Sequence, residues 1–182
     1  EMKSNASVVF RLEADKPGII SLALIVKEHK INWTTHPIAD LAIIELVTSD
    51  NIFEKRLKLF SFPASQIYGK TNLPPKEADL TFLGFPRIDL ELQHFSPLTF
   101  NSHLSSGLIT QRRADTNTKC DLFYLDIPSM QGCSGSGVYF SVEKAEYYGG
   151  SITAFIGVVH GTASDNTGGK LAAITPSFYI WD

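Results

Sequence analysis

A short segment rich in glycine and serine carries the residues best suited to covalent chemistry. Residues 132–137 read Gly-Cys-Ser-Gly-Ser-Gly and lie between two strand-like runs. Glycines at this spacing let the backbone turn sharply, which would expose the side chain of Ser134. The backbone N–H groups of Gly132 and Ser134 could then point at one spot, as an acyl-transfer enzyme requires for the oxyanion of its intermediate. The alternative is an ordinary Gly/Ser hairpin turn.

A second candidate is the carboxylate of Asp40, which directly precedes the apolar run 41–46. That run predicts a buried strand. Since a carboxylate is costly to bury unless it is paired, we expect Asp40 to have a charged or hydrogen-bonding partner. A histidine N–H is one such partner, because the carboxylate then fixes the tautomer of the ring and stabilises its protonated form. The alternative is a turn or surface aspartate.

Strand-like patterns run through most of the chain and predict an all-β fold. The predicted strands are 7–12, 19–26, 41–46, 80–85, 107–110, 122–126, 137–140 and 152–159, and short helical segments are predicted at 65–68 and 176–181. Short strands at this spacing favour a sandwich or barrel over alternating helices and strands. The proline-containing stretch 72–76 predicts a boundary between residues 1–75 and residues 76–182.

The composition argues against nucleic-acid and membrane partners. Sixteen Lys plus Arg against nineteen Asp plus Glu give a net charge of -3, and the basic residues are scattered. No apolar run approaches the about 18 residues of a membrane-spanning helix. Cys120 and Cys133 are too few for a disulfide framework, although one bridge or two free thiols both stay open. No cluster has the spacing of a zinc site, and we predict neither a metal nor an organic cofactor.

Five segments in order along the chain resemble motifs of one family. They are His-Pro-x-x-Asp-Leu-Ala at 36–42, Gly-Phe-Pro at 84–86, Gly-Leu-Ile-Thr at 107–110, Gly-Cys-Ser-Gly-Ser at 132–136 and Ile-Gly-Val-Val-His-Gly at 156–161. The family is the trypsin-like, or chymotrypsin-fold, serine peptidases, and in particular bacterial domains related to HtrA and the glutamyl endopeptidases. The resemblance implies two Greek-key β-barrels, the first incomplete at its N-terminus, and a serine endopeptidase that acts through an acyl-enzyme.

The resemblance also implies catalytic roles for the matching residues. Ser134 would be the nucleophile, and Asp40 would orient the general base. The N–H groups of Gly132 and Ser134, with Cys133 between them, would form the oxyanion hole. Because Cys133 stands where pancreatic-type enzymes have an aspartate that pairs with the freed amino terminus, activation by that ion pair is not expected.

The expected partner is an extended peptide or protein substrate. By resemblance, Gln131 would border the substrate pocket, while Val159, His160 and Gly161 would form a pocket wall and an edge for strand addition. Pro128 falls near the pocket base, where an acidic residue would select Arg or Lys, so tryptic specificity is not expected. His160 is one residue out of register with the histidine that reads Glu in related enzymes; a specificity role and a simple strand-end histidine both stay open.

The general base is the part of this constellation that the sequence lacks. In the family it precedes the Asp by several dozen residues in a Thr-x-x-His-Val type segment, and none occurs before Asp40. His29 and His36 lie in predicted turns or loops, and His94 and His103 in a predicted exposed polar loop. The chain is then a fragment whose N-terminal segment is missing, a pseudoprotease that binds peptides, or an enzyme with an unexpected histidine base. A β-rich binding module with a chance Gly/Ser turn is the non-enzyme alternative.

Overall fold

The fold is nearly all β, as predicted. The computed structural model describes residues 7–11, 17–21, 26, 32–45, 64–70, 74–85, 97–113, 116–140 and 154–182. Two compact units are present. The described residues of the smaller unit fall within Glu1–Thr35 and Ala42–Ser61, and those of the larger unit within His36–Leu41, Phe62–Ile88 and Pro97–Asp182. Among the described residues, no helix is long and apolar enough to cross a membrane.

Two antiparallel strand pairs form the described part of the smaller unit. They are β1 (Ser7–Arg11) with β2 (Pro17–Ser21), and β3 (Thr34–Thr35) with β4 (Ala42–Ile43). The prediction of a buried strand at 41–46 is wrong, because β4 has two residues and both are exposed. The physical reason is that β4 pairs only with the equally short β3 among the described residues, so neither face of it is covered.

A seven-stranded antiparallel sheet dominates the larger unit. Its strands are β5 (Asp79–Gly84), β6 (Leu98–His103), β7 (Ile109–Arg112), β8 (Lys119–Leu125), β9 (Gly137–Phe140), β10 (Phe155–Ser164) and β11 (Lys170–Pro176). Their order across the sheet is β6-β5-β9-β10-β11-β8-β7. The N–H of Asp126 donates to His103 O at 3.1 Å, and the N–H of Ser105 donates to Tyr124 O at 2.8 Å. The end of β6 therefore lies beside β8. The six strands β6, β5, β9, β10, β11 and β8 thus form a closed ring.

The hydrophobic core of the larger unit lies on both faces of β8 and β11. Alternation along β5 buries Leu80 and Phe82 on the inner face, where each contributes about 1.5–3 kcal/mol. A second cluster covers the other face of β8 and β11. Its members come from the 36–41 segment, from β8 and β11 and from the C-terminal helical turn: Ala39, Cys120, Leu122, Ala173, Phe178 and Tyr179. This second cluster fixes the segment that carries Asp40.

Most strands of the larger unit were predictable, and two were not. The predictions at 80–85, 107–110, 122–126, 137–140 and 152–159 overlap β5, β7, β8, β9 and β10, while 3-10 turns at Ala64–Gln66 and Ser177–Ile180 stand at the predicted helical segments. The predicted polar loop around His103 is wrong, because His103 ends β6. The sequence pattern also missed β11, whose alanines have low strand propensity.

Candidate functional site

Ser134 lies in two consecutive reverse turns, residues 130–136, here called the serine turn. The N–H of Cys133 donates to Met130 O, and the N–H of Ser136 donates to Cys133 O, both at 3.0 Å. The third residue of each turn is a glycine with positive φ, 98° at the first and 88° at the second. Since such turns place their third residue in a conformation that disfavours side chains, the glycine spacing of the motif is a conformational requirement.

The serine turn is attached to β10. The N–H of Gly135 donates to Val159 O, and the N–H of Val159 donates to Ser136 O, both at 2.8 Å. Ser134 itself is exposed at the second position of its turn. Among the described residues, no side chain forms a hydrogen bond with Ser134 Oγ. The hydroxyl is therefore presented to solvent from a rigidly held backbone.

The N–H groups on either side of Cys133 in the serine turn have no acceptor among the described residues. Those of Cys133, Gly135 and Ser136 donate to backbone carbonyls. Those of Gly132 and Ser134 donate to no acceptor among the described residues. These are the two N–H groups that the sequence predicted for an oxyanion hole, and they are available to an external acceptor.

Cys133 anchors the serine turn in the core. Its side chain is 0 % exposed, and it packs so closely on β5 that a Cβ added at Gly84 would lie 2.6 Å from Cys133 Sγ. The glycine of the Gly-Phe-Pro motif thus makes room for the turn. Cys120 and Cys133 are buried thiols in different clusters, so the disulfide bridge left open by the sequence is not formed.

His36 caps the loop that carries Asp40. Its Nδ1 accepts the backbone N–H groups of Ile38 at 3.2 Å and Ala39 at 2.9 Å. Its ring also packs against Tyr179, with 4.8 Å between the centroids. An Nδ1 that accepts hydrogen bonds places the ring proton on Nε2. His36 therefore holds the loop and does not contact Asp40 as a base would.

Asp40 is less buried than the sequence predicted. Its side chain is 52 % exposed, because Ala39 rather than Asp40 enters the core. Arg113 Nη1 and Thr118 Oγ1 each donate to Ile38 O, at 3.4 and 3.3 Å, and so tie the loop to the segment between β7 and β8. These contacts with the backbone of Ile38 hold the loop in place and so keep the Asp40 carboxylate at the surface.

Asp40 has a cationic partner, Arg113, and a second neighbour, the ring of His160. His160 Nδ1 lies 2.7 Å from Asp40 Oδ2, and Arg113 Nη2 lies 3.3 Å from Asp40 Oδ1. The carboxylate stands out of line with the ring N–H of His160, so this buried nitrogen has no aligned hydrogen bond despite the short distance. Asp40 Oδ1 thus faces the guanidinium of Arg113, and Asp40 Oδ2 faces a ring nitrogen of His160.

A β-bulge aims His160 at Asp40. Val159 pairs with Ile174 and Gly161 pairs with Ala173, which leaves His160 as the extra residue of β10. Bulges re-aim side chains and are common beside active sites. The side chain of Val159 is buried in the core, so only its backbone can line a substrate edge. The ring of His160, expected by resemblance in a pocket wall, is placed against Asp40 instead.

The expected substrate edge is partly open. β9 pairs with β10 only as far as Val158, so Gly161 and the residues after it have no strand partner on that side within the described ranges. Gln131 is exposed beside the serine turn. Ser129 and Thr162 are joined through their hydroxyls at 2.6 Å, which ties the segment before the turn to β10. An extended peptide could add along this edge.

A second histidine cluster, here called the His103 junction, was not recognised in the sequence. His103 Nε2 lies 2.8 Å from Asp79 Oδ1, and its Nδ1 lies 3.0 Å from Asp126 Oδ2. Asp126 Oδ1 also accepts from the buried Ser102 hydroxyl at 2.5 Å and from the N–H of His103 at 2.9 Å. The junction thus joins the start of β5, the end of β6 and the end of β8.

The contacts of the His103 junction shift the pKa of both partners. The hydrogen bond to Asp126, together with Asp79, raises the pKa of His103 above 6.5, although burial opposes it. Burial alone would raise the pKa of Asp126, but the hydrogen bonds from Ser102 and His103 outweigh it and lower that pKa from 3.8 to about 2. The charged forms of both side chains are therefore favoured in the folded protein.

No protein-family model matches the chain, and no curated protein matches it. The resemblance to the trypsin-like serine peptidases therefore stays a hypothesis that depends on the motifs and on the geometry of the serine turn and Asp40.

Proposed function

We propose that this chain is a trypsin-like serine endopeptidase domain that cleaves peptide bonds through an acyl-enzyme. One observation carries the proposal: the N–H groups of Gly132 and Ser134, on either side of the bonded N–H of Cys133, have no acceptor among the described residues and flank an exposed serine hydroxyl. The central N–H groups of any β-turn lie outside its i→i+3 hydrogen bond, so the free N–H groups support an oxyanion hole only together with the exposed Ser134 between the positive-φ glycines. An oxyanion hole requires such free donors, since they must bond the oxyanion in the transition state.

In this mechanism Ser134 Oγ attacks the scissile carbonyl carbon. The N–H groups of Gly132 and Ser134 then stabilise the developing oxyanion, with about 3–4 kcal/mol from each donor. The hydroxyl proton passes to a general base and from there to the leaving amine. Water repeats the sequence on the acyl-enzyme and releases the second product.

Asp40 orients that base in the proposed mechanism. Its carboxylate has about four acceptor positions, so contacts with His160 and Arg113 leave room for a further imidazole N–H. His36 and His103 are engaged with backbone N–H groups and with carboxylates, respectively. We therefore assign the base to a histidine other than these two.

The substrate in this proposal is an extended peptide that adds to the open edge of β10. Its backbone would bond to the backbone beyond Val159, irrespective of side chain. The closed ring of six strands is compatible with one Greek-key barrel of the trypsin-like fold. The division at residue 75 and a further barrel formed by residues 1–75 belong to the same proposal.

The test is active-site labelling of the natural protein, isolated from its own source, beside the chain of 182 residues. Both are treated with a fluorophosphonate probe, and the labelled residue is located by peptide mapping. We expect labelling at Ser134 in the natural protein and its loss in Ser134→Ala, with Ser136→Ala as the matched control that keeps its label. A natural protein unlabelled at Ser134 would overturn the peptidase proposal.

A second candidate is a peptide-binding pseudoprotease. It is favoured by the finding that no described side chain hydrogen-bonds Ser134 Oγ, because a serine hydroxyl without an adjacent base is a poor nucleophile. This function predicts that extended peptides bind the unlabelled protein and leave it intact. Titration with a peptide library, followed by mass analysis of the peptides, separates binding from cleavage.

A further inference from the structure

The Nδ1 atom of His160 is the buried polar atom of the site that most needs an explanation. It is inaccessible to solvent and makes no aligned hydrogen bond. A buried donor left without a partner costs about 1–3 kcal/mol. Among the described residues, the acceptor within reach is Asp40 Oδ2 at 2.7 Å. An Nδ1–H at this distance attracts the carboxylate, whereas an Nδ1 lone pair would repel it.

The backbone is built to produce this contact. A regular β10 would continue its alternation from the buried Val159 without an extra residue. The bulge instead inserts His160 between the pairs Val159–Ile174 and Gly161–Ala173. The insertion comes directly after the residue to which the serine turn is bonded. One stretch of β10 therefore fixes both the serine turn and the partner of Asp40.

Arg113 contacts the same carboxylate at its other oxygen. Its side chain is 9 % exposed, and Nη2 lies 3.3 Å from Asp40 Oδ1. With His160 at Oδ2, the carboxylate is held from two directions by two different strands or their flanks. Attachment at both oxygens restricts the rotation of the Asp40 carboxylate. A surface aspartate without a role would not need to be restricted in this way.

We propose that His160 is a positioning residue, which holds Asp40 through Nδ1 instead of reading the substrate or accepting the proton of Ser134. Neutral His160 carries its proton on Nδ1 and donates it to Asp40, while Arg113 holds the other oxygen. The contact itself is independent of catalysis. Its consequence for reaction rate rests on the peptidase function proposed above, with Asp40 oriented toward the histidine that serves as base.

The first experiment measures the contact without any activity. The ring ¹⁵N shifts of His160, recorded at a pH where the ring is neutral, distinguish the Nδ1–H tautomer from the Nε2–H tautomer that is more common in free histidine. We expect Nδ1–H in the wild-type chain and a change toward Nε2–H in Asp40→Ala. His103 is the internal control and should keep its spectrum in that variant. An Nε2–H tautomer in the wild type, or no change in Asp40→Ala, would overturn the proposal.

The second experiment measures the consequence on the natural protein, through the rate of fluorophosphonate labelling at Ser134. His160→Leu removes the donor, and we expect the rate to fall about 10- to 100-fold, as for loss of a hydrogen bond to a charged group. His160→Asn places an amide N–H close to the position of Nδ1, and we expect it to stay within about threefold of the wild type. His103→Asn, the matched control, should leave the rate unchanged.

The outcomes separate this inference from the peptidase proposal. If Asn fails as completely as Leu, an N–H donor at the position of Nδ1 does not restore the rate, and the positioning role is wrong. If both variants label like the wild type, the contact has no catalytic consequence and the role is also wrong. If wild-type Ser134 is not labelled, the peptidase proposal fails, and the tautomer experiment still decides whether His160 holds Asp40.

Discussion

Two histidines in the larger unit contact carboxylates, and they do so in opposite ways. In the His103 junction both ring nitrogens have a carboxylate at 2.8–3.0 Å, and a buried serine and a backbone N–H complete the network. At His160 one buried nitrogen faces Asp40 at 2.7 Å without alignment, and the carboxylate is half exposed. The first network is satisfied and the second is not.

The difference indicates different roles. A fully bonded polar network stabilises the strands that it joins, and nothing in it is left for a ligand. A short, unaligned contact at a buried nitrogen carries a cost that stability does not explain. Such costs concentrate at functional sites, where neighbouring structure maintains them. We therefore assign the His103 junction to folding and the Asp40–His160 contact to function.

The largest expected effect is that of Asp40→Asn on reactivity. We expect the rate of fluorophosphonate labelling at Ser134 in the natural protein to fall by about 10³–10⁴, because the base loses the charge that orients it. The free energy of unfolding should change by less than about 1 kcal/mol, since Asn keeps an oxygen for Arg113. Asp126→Asn is the matched control and should label at the wild-type rate; an equal loss in both variants would contradict the division of roles.

The second-largest expected effect is a loss of stability when the His103 junction is altered. Asp126→Ala leaves the buried Ser102 hydroxyl and the N–H of His103 without their acceptor, so we expect a loss of about 2 kcal/mol in the free energy of unfolding. Denaturant unfolding measures it. Adding Ser102→Ala should cost less in the Asp126→Ala background than in the wild type, because the shared bond is already gone. Strictly additive losses would show that the two side chains are not coupled.

The smallest effect is a pH window in the stability supplied by His103. Because the pKa of Asp126 falls from 3.8 to about 2 on folding, its contribution is complete above pH 3.8 and is lost as the pH falls toward about 2. Because folding raises the pKa of His103 above 6.5, its contribution is complete below pH 6.5 and is lost as the pH rises through the raised value. The pair is therefore strongest between these limits.

The measurement compares the free energy of unfolding of the wild type and His103→Asn at about pH 3, 5 and 8. We expect the difference to be largest at the middle value. Its pH-dependent part should stay below about 1 kcal/mol, because the ring is half exposed and solvent screens the charges. A difference that does not vary with pH would show that the ring contributes packing alone.

The sequence by itself determined the local geometry around Ser134. Gly132 and Gly135 tolerate the positive φ that the third residue of each of the two turns adopts. The spacing of these glycines in the sequence therefore predicts the two turns. The strand-like run 80–85 likewise predicted β5 to within one residue, because one face of a strand at an interior position must be apolar. Such signals are local: the residues that carry the information are also the residues that adopt the conformation.

Only the tertiary structure decided which side chains meet. Asp40, Arg113 and His160 come from three distant segments, and their contact depends on a bulge whose extra residue has no distinctive local pattern. His103 looked like a loop residue because the polar residues Asn101 and Ser102 precede it at the end of β6. Long-range contacts of this kind follow from register and packing across the sheet, which a single sequence does not encode locally.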